Sequence, residues 1–254
     1  MTIFLLEEIL SIVLALDLSF QNFTSVGFLI FSTQLIAGPA MNVITINTAD
    51  ALTYNKWLEK STPTFDAARG EMVAASGICS PISGAEQEGD HYVWAIAPSM
   101  KALLQSQERL YNDAASTKAI ARISSKRSVV KRAIFEVIKP GKTPYKAGET
   151  NAQYNLLSRP NDVSQYVQTI AAMEAAAAEN GFEDIQMVVF EGFGAGDWAR
   201  MVMASVQAPS AERLGAFLDE MRSPWMAESM SAFPSLRTPV HDWQLLCRTI
   251  SASD

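Results

Sequence analysis

Apolar and polar positions alternate over short stretches of this chain, and between them the spacing changes to a helical period. Residues 42–47 (Asn-Val-Ile-Thr-Ile-Asn) alternate as a strand does. Thr48 and Asp50 stand where a cap belongs, ahead of a helix carrying Leu52, Trp57 and Leu58. Pro63, just behind Ser61-Thr62, predicts the first turn of a second short helix. Residues 72–82 read as a second strand, the acidic stretch 84–90 as a hairpin loop, and 92–97 as a third strand. Ser99 caps a helix with Leu103, Leu104, Leu110 and Tyr111 on one face. A polar linker leads to a fourth strand, 129–138, ended by Lys139-Pro140-Gly141.

The second half repeats this order. Residues 153–158 form a strand, and Asn161 caps a helix striped by Val163, Tyr166, Val167, Ile170 and Met173, which Gly181 ends in the left-handed conformation. Residues 185–191 and 199–207 make a hairpin around Phe193-Gly194-Ala195-Gly196. Ser210 caps a helix bearing Leu214, Phe217, Leu218 and Met221. A further helical segment runs from 224 to 233, and the last strand covers 242–250.

Gly89-Asp90-His91 and Gly196-Asp197-Trp198 each precede an apolar run that ends in Ala-Pro-Ser. The two Ala-Pro-Ser signals, at 97–99 and 208–210, are 111 residues apart. Each half thus reads strand–helix–strand–strand–helix–strand, the ferredoxin-like order. The expected organisation is an apolar segment over 1–40, a first repeat over 41–141 and a second over 142–254. Order and duplication together resemble the dimeric α/β-barrel superfamily over about residues 42–251. The resemblance implies an α+β fold of two ferredoxin-like repeats, their sheets face to face as a pseudo-twofold barrel around a cavity. That superfamily includes cofactor-independent monooxygenases, haem-dependent enzymes, isomerases and members without known activity, so reaction type does not follow from it.

Composition narrows the partners. A net charge of −7 argues against nucleic acid. Lys126, Arg127, Lys131, Arg132, Lys139, Lys142 and Lys146 crowd one stretch, which reads as a solvated strand edge and loop. Two cysteines, Cys79 and Cys247, cannot form a disulfide framework and are expected to be buried, reduced thiols. Upstream, the chain has no Lys or Arg before Lys56, while Asp17, Gln21 and Asn22 interrupt its apolar runs. Residues 1–40 are open to three readings: an extension ahead of a true start at Met41, a removed signal or anchor, or a structured helical hairpin. The first predicts a cytoplasmic protein, and the second an exported or membrane-associated one.

Candidate chemistry is sparse. Glu86, Glu88, Asp90 and His91 are the densest set of possible ligands, but their spacing matches no zinc pattern and a solvated loop explains them, so no metal is expected. His91 and His241 exhaust the histidines, and no cofactor is expected, haem being a minor alternative. Gly192 to Gly196 joins two strands and lacks the dinucleotide spacing. On the fourth strand of each half, Ala133, Phe135 and Val137, matched by Leu245 and Cys247, are expected beneath the helices. The opposite face carries Arg132 and Glu136, matched by Gln244 and Arg248, with Thr45, Gln153 and Asn155 from the first strands. These residues are expected to line the inter-sheet cavity and bind a small organic anion, with Glu136 as a candidate general base. The alternative is a non-catalytic scaffold whose polar sheet face is merely wet.

Overall fold

The computed structural model describes residues 38–253, which fall in one compact unit. Eight antiparallel strands close into a barrel: β1 (Ala40–Asn47), β2 (Ala75–Ser83), β3 (Asp90–Ala97), β4 (Ser128–Lys139), β5 (Thr150–Pro160), β6 (Gln186–Gly192), β7 (Val202–Ala208) and β8 (Arg237–Ala252). Around the barrel the order is β1-β3-β2-β8-β5-β7-β6-β4. The first half contributes β4-β1-β3-β2 and the second β8-β5-β7-β6, the same order in each. Two seams join them: β2 pairs with β8 from Ala75↔Ala252 to Ser83↔Gln244, and β4 pairs with β6 from Phe135↔Gly192 to Lys139↔Val189. Closure leaves none of these eight strands with a free edge.

Helices cover the outer face. Over the first half lie α1 (Ala51–Arg69), α2 (Met100–Asn112) and α3 (Ala114–Ile123). Over the second lie α4 (Val163–Glu179), α5 (Ala211–Asp219), α6 (Pro224–Met230) and α7 (Phe233–Leu236). Their starts follow from capping chemistry: the Asp50, Ser99, Asp113, Asp162, Ser210 and Ser223 side chains each accept a backbone N–H three residues on. Gly181, at φ 84°, follows α4 in the left-handed region, as a helix-ending glycine should. Among the described residues, no helix is long and apolar enough to cross a membrane.

Three local expectations are corrected. Pro63 sits inside α1 rather than opening a new helix; its missing N–H removes one bond from a long helix packed by Tyr54, Leu58 and Phe65. The polar linker after residue 112 contains α3, whose Ile123 is buried against α1, so packing overrides its modest pattern. Asp162, not Asn161, caps α4; the Asn161 amide instead donates to the Ser235 carbonyl at 2.8 Å.

The cysteines are buried as expected but not reduced. Cys79 and Cys247 lie directly opposite each other in the β2–β8 pairing and form a disulfide. Two cysteines make no framework, yet here they meet across 168 residues of chain because the barrel closes at that point. Sequence spacing cannot reveal such a pairing.

Candidate functional site

Side-chain alternation along the strands decides what enters the lumen. From the first half come Met41, Val43, Tyr92, Trp94 and Phe135, with Cys79 of the disulfide beside them. The second half adds Phe190 and Trp243, and also a polar wall. Within that wall the Gln153 amide donates to Asn151 Oδ1 at 3.1 Å, and Gln153 Oε1 receives Asn155 Nδ2 and Ser205 Oγ, each at 3.4 Å. Gln207 donates to Ser205 Oγ, and Gln186 donates to Gln207 Oε1, both at 3.1 Å. The row ends at the surface, where Gln186 Oε1 accepts the backbone N–H of Lys142 and Thr143.

Two aromatic side chains close the lumen from loops. Tyr145, in the segment joining the halves, stacks on Trp94 with ring centroids 5.1 Å apart. Trp198, in the β6–β7 connection, packs edge-on to Trp243 at 5.6 Å and carries Lys131 Nζ 3.7 Å above its ring. The free volume between them is about 70 Å³. That is room for a few waters, and about half the volume of an engineered cavity that binds benzene.

Within this apolar enclosure several polar atoms lack partners. Asn155 Oδ1 and the indole nitrogens of Trp94 and Trp243 are buried and make no hydrogen bond among the described residues. Such groups cost free energy unless something satisfies them. Tyr92 is better placed: its hydroxyl donates to Glu86 Oε2 at 2.8 Å, and burial together with that carboxylate pushes its pKa far up. Burial raises the Tyr145 phenol as well. Both phenols therefore stay protonated at neutral pH.

Of the residues expected here, Gln153 and Asn155 line the lumen, and Thr45 shares their inward orientation with Met41 and Val43 on β1. The other four do not. Arg132 and Glu136 are exposed on the outer face of β4, and Gln244 and Arg248 are half-buried on the outer face of β8. Arg248 pairs with Glu59 of α1. The two faces of these strands are thus the reverse of the expectation: Ala133, Phe135, Val137, Leu245 and Cys247 face the lumen. The reason is enclosure. A closed lumen is sealed on all sides, whereas the outer positions of β4 and β8 are only half-buried or exposed. The inner face of each strand is apolar at its middle, through Ala133, Phe135 and Val137 on β4 and Trp243, Leu245 and Cys247 on β8. No alternation marks Tyr145 and Trp198, because they sit in connections.

Two of the loop carboxylates, Glu86 and Asp90, are tied into the fold. Asp90 is buried and accepts from the Asn47 amide at 2.9 Å and from the Gln87 N–H at 3.1 Å. His91 lies beside Ser80, with Nδ1 2.9 Å from its hydroxyl, and His241 Nε2 contacts the Gly84 carbonyl. Neither histidine lines the lumen.

No family model matches this sequence, and no curated protein matches it. Solved structures do. A protein from Lactobacillus acidophilus NCFM, provisionally described as a monooxygenase, superposes with a TM-score of 0.56 at 10% identity over 85% of this chain and 98% of that one. A dye-decolorizing peroxidase from Bacteroides thetaiotaomicron gives 0.54 at 10% identity over 84% and 94%. A heme-binding protein from Thermus thermophilus gives 0.50 at 12% identity over 84% and 91%. The expectation that no cofactor is involved is overturned by these neighbours, since the same fold serves a protein described as heme-binding. The lumen of this chain nevertheless offers such a group no histidine and little width. What the comparisons share with this chain is architecture: its fold is the dimeric α/β-barrel fold.

Proposed function

We propose that the barrel is two ferredoxin-like repeats, 41–141 and 142–254, that enclose a binding site for a small, largely apolar organic molecule. The observation that carries this reading is the set of unpartnered polar atoms in an aromatic lumen: Trp94 Nε1 as a donor and Asn155 Oδ1 as an acceptor. A ligand bearing a carbonyl and a hydroxyl on an apolar body would satisfy both. The present volume admits only a compact ligand. A larger one requires Tyr145 or Trp198 to swing aside, and both belong to loops rather than strands. Gln153 and Asn155 are the binding residues of this reading, with Thr45 at the periphery.

The test is direct. Native mass spectrometry of protein purified from its source should reveal a bound small molecule. A compact probe, hydroxyacetone, should raise the melting temperature of the parent and not of Asn155→Leu. Equal responses, or none in the parent, would count against the lumen. The disulfide also favours the exported reading of this chain over the cytoplasmic one, because structural disulfides persist in oxidising compartments. Cell fractionation with an antibody to the barrel decides that point.

A further inference from the structure

We infer that the first half holds a second, separate site, for an aromatic carboxylate, between its helix layer and the outer face of the barrel. A cavity of about 90 Å³ lies there beneath α1, α2 and α3. Three arginines reach it from different elements: Arg69 from the end of α1, Arg127 from the segment before β4, and Arg132 from β4. Aromatic rings make its walls. The Arg127 guanidinium carbon lies 5.9 Å from the ring centres of both Tyr54 and Trp57, Arg69 lies 5.9 Å from Phe65, and Arg132 lies 5.8 Å from Tyr111.

The electrostatics are uncompensated. Among the described residues, no carboxylate comes within ion-pair distance of any of the three guanidinium groups. Arg69 is only 9% exposed, and its Nε, like that of Arg127, is buried without a hydrogen-bond partner. Asp66, one turn back on α1, acts on Arg69 only through space. A buried arginine without an acid is costly, and half-buried Arg127 and exposed Arg132 add like charge along the same cavity wall. An anion entering the cavity gives buried Arg69 the partner it lacks and draws on the charge of the other two.

The lining selects the class of anion. Guanidinium forks match a carboxylate in plane and spacing, and aromatic walls favour a flat, apolar body over a hydrated ion such as phosphate. The helix layer of the second half has nothing equivalent. Its own cavity is lined by Leu, Ile, Met and Phe side chains with one arginine, Arg237, which donates to the Tyr166 hydroxyl at 2.7 Å.

The experiment is calorimetric titration of the full chain with benzoate, with its neutral analogue benzamide, and with inorganic phosphate. Benzoate should bind, while benzamide and phosphate should give no measurable heat. Arg127→Gln should weaken benzoate by about tenfold or more. Asn155→Leu, altered only in the lumen, should bind benzoate as the parent does, which separates this site from the lumen site. Arg69→Met should raise the melting temperature of the ligand-free protein, since it deletes an unpaired buried charge. Should that variant fail to fold, Arg127→Gln alone decides. Equal binding of benzamide, phosphate binding as tight as benzoate, or unchanged benzoate affinity in Arg127→Gln would each overturn the site.

Discussion

The two halves of this barrel share a strand order, and they differ in how they handle charge beneath their helices. Beneath the helices of the second half the buried charge has partners, supplied in part by β4 of the first. Glu174 of α4 is 6% exposed; it accepts Lys139 Nζ at 2.6 Å and the Met187 N–H at 2.8 Å, with Lys142 nearby at 3.7 Å. At the surface Arg213 pairs with Asp184 at 2.8 Å, and that bond holds the Asp184 carboxyl below its ordinary pKa. In the first half Arg69, Arg127 and Arg132 converge on open space. One architecture can therefore seal one helix–sheet interface and leave its counterpart unfinished. The lesson is that an interface with satisfied charges serves the fold, while the same interface left unsatisfied is where a ligand belongs.

The largest expected effect probes the sealed side. Glu174→Ala leaves Lys139 buried and unpaired and should cost about 3–5 kcal/mol in denaturant unfolding. Arg132→Leu, its opposite number in the unsealed interface, should leave stability unchanged within about 0.5 kcal/mol. A comparable loss in both would erase the contrast between the halves. Reduction of the Cys79–Cys247 bridge tests whether the halves unfold as one. It should cost about 2–4 kcal/mol and preserve a single transition, whereas two separate transitions would make the halves independent.

Gly77→Ala sharpens the boundary between the two cavities. A Cβ there would come within 2.2 Å of the Arg248 carbonyl and 2.6 Å of the Trp94 ring, so an about 1–3 kcal/mol loss is expected. The smallest effect concerns His91, whose pKa burial lowers. Its neutral form is the folded one, so the stability it contributes is complete above about pH 6.5 and declines as pH falls below that value. His91→Gln should flatten this decline in chemical denaturation between about pH 7 and pH 5.

Much of the fold was legible because period-2 and period-3.6 patterns alternate cleanly and Ser99 and Ser210 mark their helices without ambiguity. The lumen was half legible. Gln153 and Asn155 are polar residues interrupting otherwise apolar strands, and that is a local signal. The inversion of β4 and β8 arose because alternation identifies two faces without saying which is enclosed; closure, a long-range property, decides it. Closure also explains the disulfide. Arg69 and Arg127 carry no signal of their own because they belong to a helix end and a loop, and only the packing of α1–α3 brings them beside Arg132.

The two seams of the barrel are unequal in kind. The β2–β8 seam is long and covalently locked, while the β4–β6 seam spans only Phe135–Lys139 against Val189–Gly192 and has no covalent tie. Any parting of the staves must therefore occur along β4 and β6, with the disulfide acting as the hinge pin. Parting there bares two unpaired strand edges at once, one from each half, and each is the complement of the other. A crowded solution of opened barrels would exchange halves between chains through those edges, joining neighbours into rings or strings without a single new side-chain contact being invented.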